Sequence, residues 1–258
     1  MQLPAGKFVV DEVVGTANPG GSHSIFLICE HASAHIPPEF HNLGLSGEAL
    51  TSHIAWDPGA IDTALALSDM LDAPLIYSTV SRLVYDCNRP PESSAAMPAR
   101  SEVYQVPGNS DLTAADKRMR VETYYRPFER SIEAMLDARG ANSVLVTVHS
   151  FTPVFNGRTR DVQIGILHDE DARLADAVLD VAGGYDIRRN EPYGPADGVT
   201  HTLCRHAQAR NLLNVMIEIR NDLLATPDQC QAMAAHLAGW LDAALTNIRQ
   251  PQAREAAS

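Results

Sequence analysis

The sequence predicts an α/β domain with a largely parallel central sheet, and three observations carry that prediction. Strand-like apolar runs alternate with helix-like periodic ones along the 258 residues. The run SVLVTVH is apolar on both faces, as a strand in the middle of a parallel sheet must be. The helical stretches carry chemical start signals, clearest at Thr226-Pro227-Asp228-Gln229.

Taken in order, the first expected strand is 24–30, SIFLICE, a run of good core formers that ends in Glu30 and His31. A helix is expected from Asp57-Pro58 through Ile61, Ala64, Leu65 and Leu71. Strands follow at 74–79 and 82–86. The stretch 90–110, rich in Pro, Ser and Ala and without periodicity, reads as a long loop beside or over the functional site. Helical periodicity resumes near Thr113 and ends before Gly140, with Pro127 either kinking the helix or splitting it in two. Strands are then expected at 143–149, 162–168 and 214–220.

In the last of these, NVMIEIR, Val215, Ile217 and Ile219 point one way and Met216, Glu218 and Arg220 the other, because side chains alternate along a strand. Glu218 is thereby committed to a face that is buried or functional. The final helix starts at the Thr226 N-cap and places Met233, Leu237, Trp240, Leu241, Ala244 and Ile248 on one stripe. The tail QPQAREAAS is expected to fray. No repeat, low-complexity block or linker divides the chain, so the expectation is a single catalytic domain over 1–258 with its core at about 22–248.

Composition excludes several classes. A formal charge of -12 opposes a nucleic-acid partner, which requires a clustered Lys/Arg surface. No apolar run reaches the ~18 residues of a membrane span, and MQLPAGKFVVDEVV lacks the basic and apolar regions of a secretion signal, so the expectation is a soluble cytoplasmic protein. Cys29, Cys87, Cys204 and Cys230 are scattered without CxxC spacing and read as reduced thiols. There is no GxSxG elbow, P-loop or GxGxxG fingerprint, and Ser150 lacks a readable orienting partner.

In open α/β sheets ligands gather at the carboxyl ends of strands. Four places qualify: Glu30-His31, Asn88-Arg89, His149-Ser150, and Glu218 with Arg220. A hydrolytic zinc site takes about three His, Asp or Glu ligands and leaves one position for water, which the metal acidifies. His31 and His149 suit it, with a carboxylate as third ligand. Asp57 is the candidate, although Asp-Pro-Gly is equally a helix start; Glu30 is its rival. His35 and His53 are alternative ligands or supporting groups. Glu218 suits a proton acceptor or a structural ion pair with an arginine such as Arg220. Arg82, Arg89 and Arg220 are each either grips for a substrate carboxylate or structural cations.

The blocks CEHASAHIP, HIAWDPGA, SRLVYDCNRP, VHSFTP, RNEPY and IEIRNDL, spread over about residues 26–224, resemble the N-formylglutamate amidohydrolase family. That family is similar to zinc carboxypeptidases, aspartoacylases and zinc-dependent muramoyl-alanine amidases. The resemblance implies a phosphorylase/hydrolase-like three-layer sandwich around a mixed, mostly parallel sheet. It implies Zn2+ held by His31, Asp57 and His149, with Glu218 as catalytic base. Arg89, with Asn88 and Arg82, would hold the substrate carboxylate. The implied substrate is a small N-acyl amino acid, foremost N-formyl-L-glutamate, cleaved to formate and glutamate as in histidine degradation. Two departures stand out. The carboxypeptidase HxxE spacing is missing, since Ala34 stands three residues after His31, and EHAS replaces the PHSG type of the better-described members.

Overall fold

Continuous apolar runs become the middle of the sheet, because a strand covered on both faces has no solvated side to populate with polar residues. The computed structural model describes residues 8–10 and 13–250. In chain order the strands are β1 (Phe8–Val10), β2 (Val14–Ala17), β3 (Ile25–Cys29), β4 (Leu75–Ser78), β5 (Arg100–Ser101), β6 (Tyr104–Gln105), β7 (Val144–Phe151), β8 (Val154–Phe155), β9 (Arg158–Thr159), β10 (Ile164–Leu167), β11 (Ile187–Arg189) and β12 (Asn214–Arg220). The α-helices are α1 (Ala60–Leu71), α2 (Ala114–Arg120), α3 (Arg126–Arg139), α4 (Arg173–Val181) and α5 (Pro227–Arg249).

Eight strands form one sheet in the order β1-β2-β4-β3-β7-β12-β10-β11. Its centre, β4-β3-β7-β12, is parallel, while β1 and β2 pair antiparallel at one edge and β10 runs antiparallel to β12. The expected mixed, mostly parallel α/β architecture is what forms. Strands β3, β7 and β12 are buried along almost their whole length.

Alternation along these strands feeds two cores. Ile25, Leu27, Val144, Val146, Val148, Val215 and Ile217 pack under α1, α4 and α5. Phe26, Ile28, Leu145 and Met216 face the other way, toward Phe128, Ile132 and Leu136 of α3. The helices therefore lie in a layer on each face. Helix α5 starts as its sequence predicts, with the Thr226 hydroxyl accepting from Gln229 N and the Gln229 side chain accepting from Thr226 N. A cap of this type is worth about 1 kcal/mol. Thr113 caps α2 in the same way, with Asp116. Between α2 and α3 the chain widens into a π turn, Val121–Tyr125, just before Pro127, whose missing N–H cannot continue an α-helical ladder.

Three expectations are corrected. Residues 82–86 form turns rather than a strand: Leu83, Val84 and Tyr85 are buried, but Val84 N donates back to Ser81 O and the segment joins no sheet. Helix α1 begins at Ala60 instead of Asp57-Pro58, with Gly59 at the N-cap in the left-handed region. The loop 90–110 contains the β5-β6 ribbon and two short 3-10 turns. Strands β1, β2 and β11 and helix α4 had no expectation. Apart from Gln250, the tail lies outside the described residues.

Candidate active site

Strand alternation sends Glu30, His149 and Glu218 to the same face of the sheet, since Phe26 and Ile28 of β3 and Leu145 of β7 lie in one core and His149 is the register partner of Glu218. Glu30 is the first residue after the β3 end and His31 the second. The segment carrying Asp57 is stitched in by neighbours from three elements. Asp57 N donates to His31 O (2.9 Å), and the Ser81 hydroxyl donates to Ala55 O (2.7 Å). The Ser150 hydroxyl donates to Pro58 O (2.7 Å), and Ser150 N donates to Asp57 Oδ2 (3.3 Å). Ser150 is thus a strut for the Asp57 turn, and its hydroxyl hydrogen is already used.

These elements bring three ligand atoms together. His31 Nδ1 lies 3.2 Å from Asp57 Oδ2, His149 Nδ1 lies 2.9 Å from the same oxygen, and the two Nδ1 atoms are 3.2 Å apart. All three residues are buried. Each imidazole has a carboxylate at its far nitrogen. His31 Nε2 is 2.7 Å from Asp86 Oδ1, and His149 Nε2 is 3.1 Å from Glu30 Oε2, a close contact off the hydrogen-bond direction. Such carboxylates place the ring hydrogen on Nε2 and leave the Nδ1 lone pair for a metal. Three lone-pair donors then face one point, and among the described residues the backbone N–H that reaches one of them is that of Ser150, on Asp57 Oδ2. Ligand atoms around a tetrahedral zinc with bonds of about 2.0–2.1 Å stand about 3.3 Å apart. The observed 2.9, 3.2 and 3.2 Å form one face of such a tetrahedron. His31, Asp57 and His149 are accordingly a donor set that fits a divalent ion.

The charges around the triad are interlocked. Burial acts to raise Asp57, but His31, the hydrogen bonds from both histidines and Arg82 hold it far below the usual carboxylate range. Burial likewise opposes charge on His31 and His149, yet the carboxylates around them raise both above the ordinary histidine value, with Glu30 and Asp57 acting on His149. Arg82 spans Asp57 Oδ1 (3.3 Å) and Asp86 Oδ2 (2.7 Å), and Asp86 Oδ1 also accepts from Asn88 N (3.0 Å).

Glu218 differs from the other carboxylates. It is buried, its Oε2 has no hydrogen-bond partner, and burial pushes it up to about 7 against the pull of His149. A carboxyl poised near neutrality and facing a cavity is able to exchange a proton with a reacting group. The cavity is about 340 Å³ and is lined by His31, Asp57, His149 and Glu218, together with Arg82, Asn88 and Arg89.

The remaining sequence candidates have distinct placements. Arg89 lines the cavity and donates to Asn88 O (2.9 Å); it forms no ion pair among the described residues, although its charge helps hold the Asp86 carboxyl down. Asn88 is buried and its amide is spent on the chain: Nδ2 donates to Val199 O (2.6 Å) and Oδ1 accepts from Thr202 N (3.1 Å). It shapes the wall that carries Val199. Glu30 stands behind His149 rather than in the triad. Arg220 turns to Asp222 and to the carbonyls of Arg160 and Asp161, away from the cavity lining, so the ion pair considered for Glu218 does not form. His35 is exposed and lines no part of the cavity. His53 does line it, paired through Nε2 with Glu102 (2.9 Å).

Sequence reasoning did not single out Asp86, Glu102 or Tyr193. Asp86 had a usable signal, four residues after Arg82 and beside Asn88-Arg89. Tyr193 lines the cavity with its hydroxyl accepting from Arg160 (2.9 Å), and lay unremarked inside the RNEPY block.

An α/β sandwich that gathers two histidines near its strand ends and an aspartate from the turn before α1, beside a buried glutamate whose Oε2 lacks a hydrogen-bond partner, is an arrangement suited to hydrolysis. The profile of the N-formylglutamate amidohydrolase family matches residues 23–225. The chain belongs to that family, and hence to the enzymes that hydrolyse amides. Its structure is similar to that of gene product Atu2144 from Agrobacterium tumefaciens, with 50% identity, a TM-score of 0.91, and coverage of 93% of this chain and 97% of that one. It shares its fold with N-formylglutamate amidohydrolase from Ralstonia eutropha JMP134, at 16% identity and a TM-score of 0.56, over 89% of this chain and 98% of that one. Among curated proteins no match to the chain was found.

Proposed function

We propose that this protein is a metal-dependent amidohydrolase that cleaves the amide bond of a small N-acyl amino acid. N-formyl-L-glutamate, the substrate for which its family is described, is the reference compound. The observation that carries the reading is the convergence of His31 Nδ1, His149 Nδ1 and Asp57 Oδ2 within 3.2 Å of one another, with carboxylates behind both rings. Zinc is the first candidate, since imidazole and carboxylate donors in this arrangement suit it. When bound, the ion supplies an acidified water and a polarised acyl carbonyl.

The chain's own residues supply the rest. Glu218 accepts a proton from the attacking water and returns it to the departing amine nitrogen, a role for which a buried carboxyl near pH 7 is suited. Arg89 takes the substrate carboxylate through paired hydrogen bonds and so fixes which carbonyl faces the triad. Arg82 holds Asp57 and Asp86 in place. A cytoplasmic setting accords with four cysteines that are free of disulfides. No helix among the described residues is long and apolar enough to cross a membrane.

The test is a panel of N-formyl and N-acetyl amino acids assayed on zinc-loaded and chelator-stripped protein. Hydrolysis by the loaded form that vanishes on stripping and returns with zinc is expected. Full turnover by the stripped protein would overturn the metal-dependent reading.

A further inference from the structure

The distribution of charge in the cavity goes further than the reaction type. A divalent ion in the triad and the Arg82 guanidinium together carry three positive charges. Asp57, Asp86 and Glu30, all buried and within 3.3 Å of Arg82 or the two histidines, carry three negative ones. That group is neutral as a unit, so beyond the reacting carbonyl it offers no net positive charge to a second carboxylate.

What lines the rest of the cavity is acidic. Glu102, Asp197 and Glu218 are its other carboxylates, and among the described residues Arg89 is the lining guanidinium without a carboxylate partner. Glu102 is fixed, with Oε2 on His53 Nε2 (2.9 Å) and Oε1 accepting from Asn156 N (2.7 Å). Asp197 is fixed by Gly194 N, which donates to its Oδ2 (2.9 Å). His53, the other basic side chain of the lining away from the triad, is engaged by Glu102. The remaining wall is mostly apolar or aromatic, with Ile54, Phe151, Phe155, Tyr193 and Val199, and its neutral polar members include Ser101 and Thr152.

Resting on the amide-hydrolysis reading, we infer that the preferred substrate is an N-acyl amino acid with one carboxylate, held by Arg89, and a neutral or apolar side chain. A second carboxylate, as in an N-acyl glutamate, finds the largely buried Glu102 and the exposed Asp197 in the lining and no second lining guanidinium to receive it among the described residues, since Arg160 stacks on Phe151, Phe155 and Tyr193 outside the lining. Taking a charge out of water without a partner is costly.

The sharpest probe is the near-isosteric pair N-formyl-L-glutamine and N-formyl-L-glutamate, with N-formyl-L-leucine to sample the apolar wall. On zinc-loaded protein, kcat/KM for the glutamine compound should exceed that for the glutamate compound by about tenfold or more, a gap worth ~1.4 kcal/mol. The gap should shrink in Glu102→Gln and in Asp197→Asn, and should narrow with added salt, which screens charge but not shape. Equal or better use of the glutamate compound overturns the inference, as does a gap unmoved in both variants. Calorimetric binding of the same pair to zinc-loaded Glu218→Gln protein separates this inference from the reading beneath it. Tighter binding of the glutamine compound without turnover by the parent enzyme sinks hydrolysis and leaves the charge inference standing. Absence of binding by either compound sinks the charge inference too.

Discussion

His149 on β7 and Glu218 on β12 are register partners in adjacent parallel strands, so a metal-ligand candidate and the candidate base leave the same face of the sheet at the same height. Their separation is set by the inter-strand spacing of about 4.8 Å rather than by a loop. Replacing Glu218 with Gln preserves shape and removes the proton acceptor. The expected outcome is unchanged zinc content by elemental analysis and turnover lower by roughly 10²–10⁴-fold. A variant as active as the parent would remove Glu218 from the mechanism.

Asp86 acts at one remove. It holds the Nε2 hydrogen of His31 and ties down Arg82, so Asp86→Asn should weaken zinc affinity by roughly 10–100-fold while the triad residues are all still present. Competition with a chromophoric chelator measures it. An affinity equal to the parent's would show that His31 is oriented by its backbone position alone.

Gly59 is required by the turn that delivers Asp57. Its φ is +78°, and a Cβ there would collide with the Leu224 side chain and come 2.8 Å from the Leu224 carbonyl oxygen. Left-handed strain and overpacking together predict a loss of roughly 2–4 kcal/mol for Gly59→Ala, read from urea unfolding. Part of the zinc affinity should go with it, because Pro58 and Asp57 directly precede the displaced residue.

His206 sets an acid limit on stability. Burial drives it down to about 4, and its Nδ1 has no hydrogen-bond partner. An unfolded histidine protonates near 6.5. As pH falls from there toward 4, the unfolded chain binds a proton that the folded chain refuses, and stability drops. Up to roughly 3 kcal/mol is at stake. His206→Leu should flatten the stability curve in that window, measured by denaturant midpoints at pH 7 and pH 4.5. An unchanged slope would mean that the ring stays solvated.

The sequence made the centre of this molecule legible and its margins much less so. SIFLIC, SVLVTVH and NVMIEIR could be recognised because burial on both faces leaves no room for polar residues. The same logic misread residues 82–86: Leu83, Val84 and Tyr85 are just as buried, but apolar character reports burial and not extended backbone, and here the chain turns. The edge strands and β11 are short and mixed in composition, and leave almost no pattern to find. His31, His149 and Glu218 were visible as candidates because strands point to them. Whether Asp57 was a helix cap or a ligand was open in the sequence; in the fold Gly59 takes the cap position, and the Asp57 carboxylate lies against His31 and His149. Asp86 and Glu102 gain their partners from chain reversals whose geometry no spacing encodes.

The contact between Glu102 and Asn156 joins the turns of two ribbons, β5-β6 and β8-β9, and the acceptor takes a main-chain hydrogen from position 156. Since the tether asks nothing of that side chain, any residue comfortable at the positive φ of 49° found there could serve. Inherited variation in the second ribbon can therefore remodel the stretch of cavity wall that includes Phe155 while the fastening survives, whereas losing the acceptor at 102 would undo it in a single step.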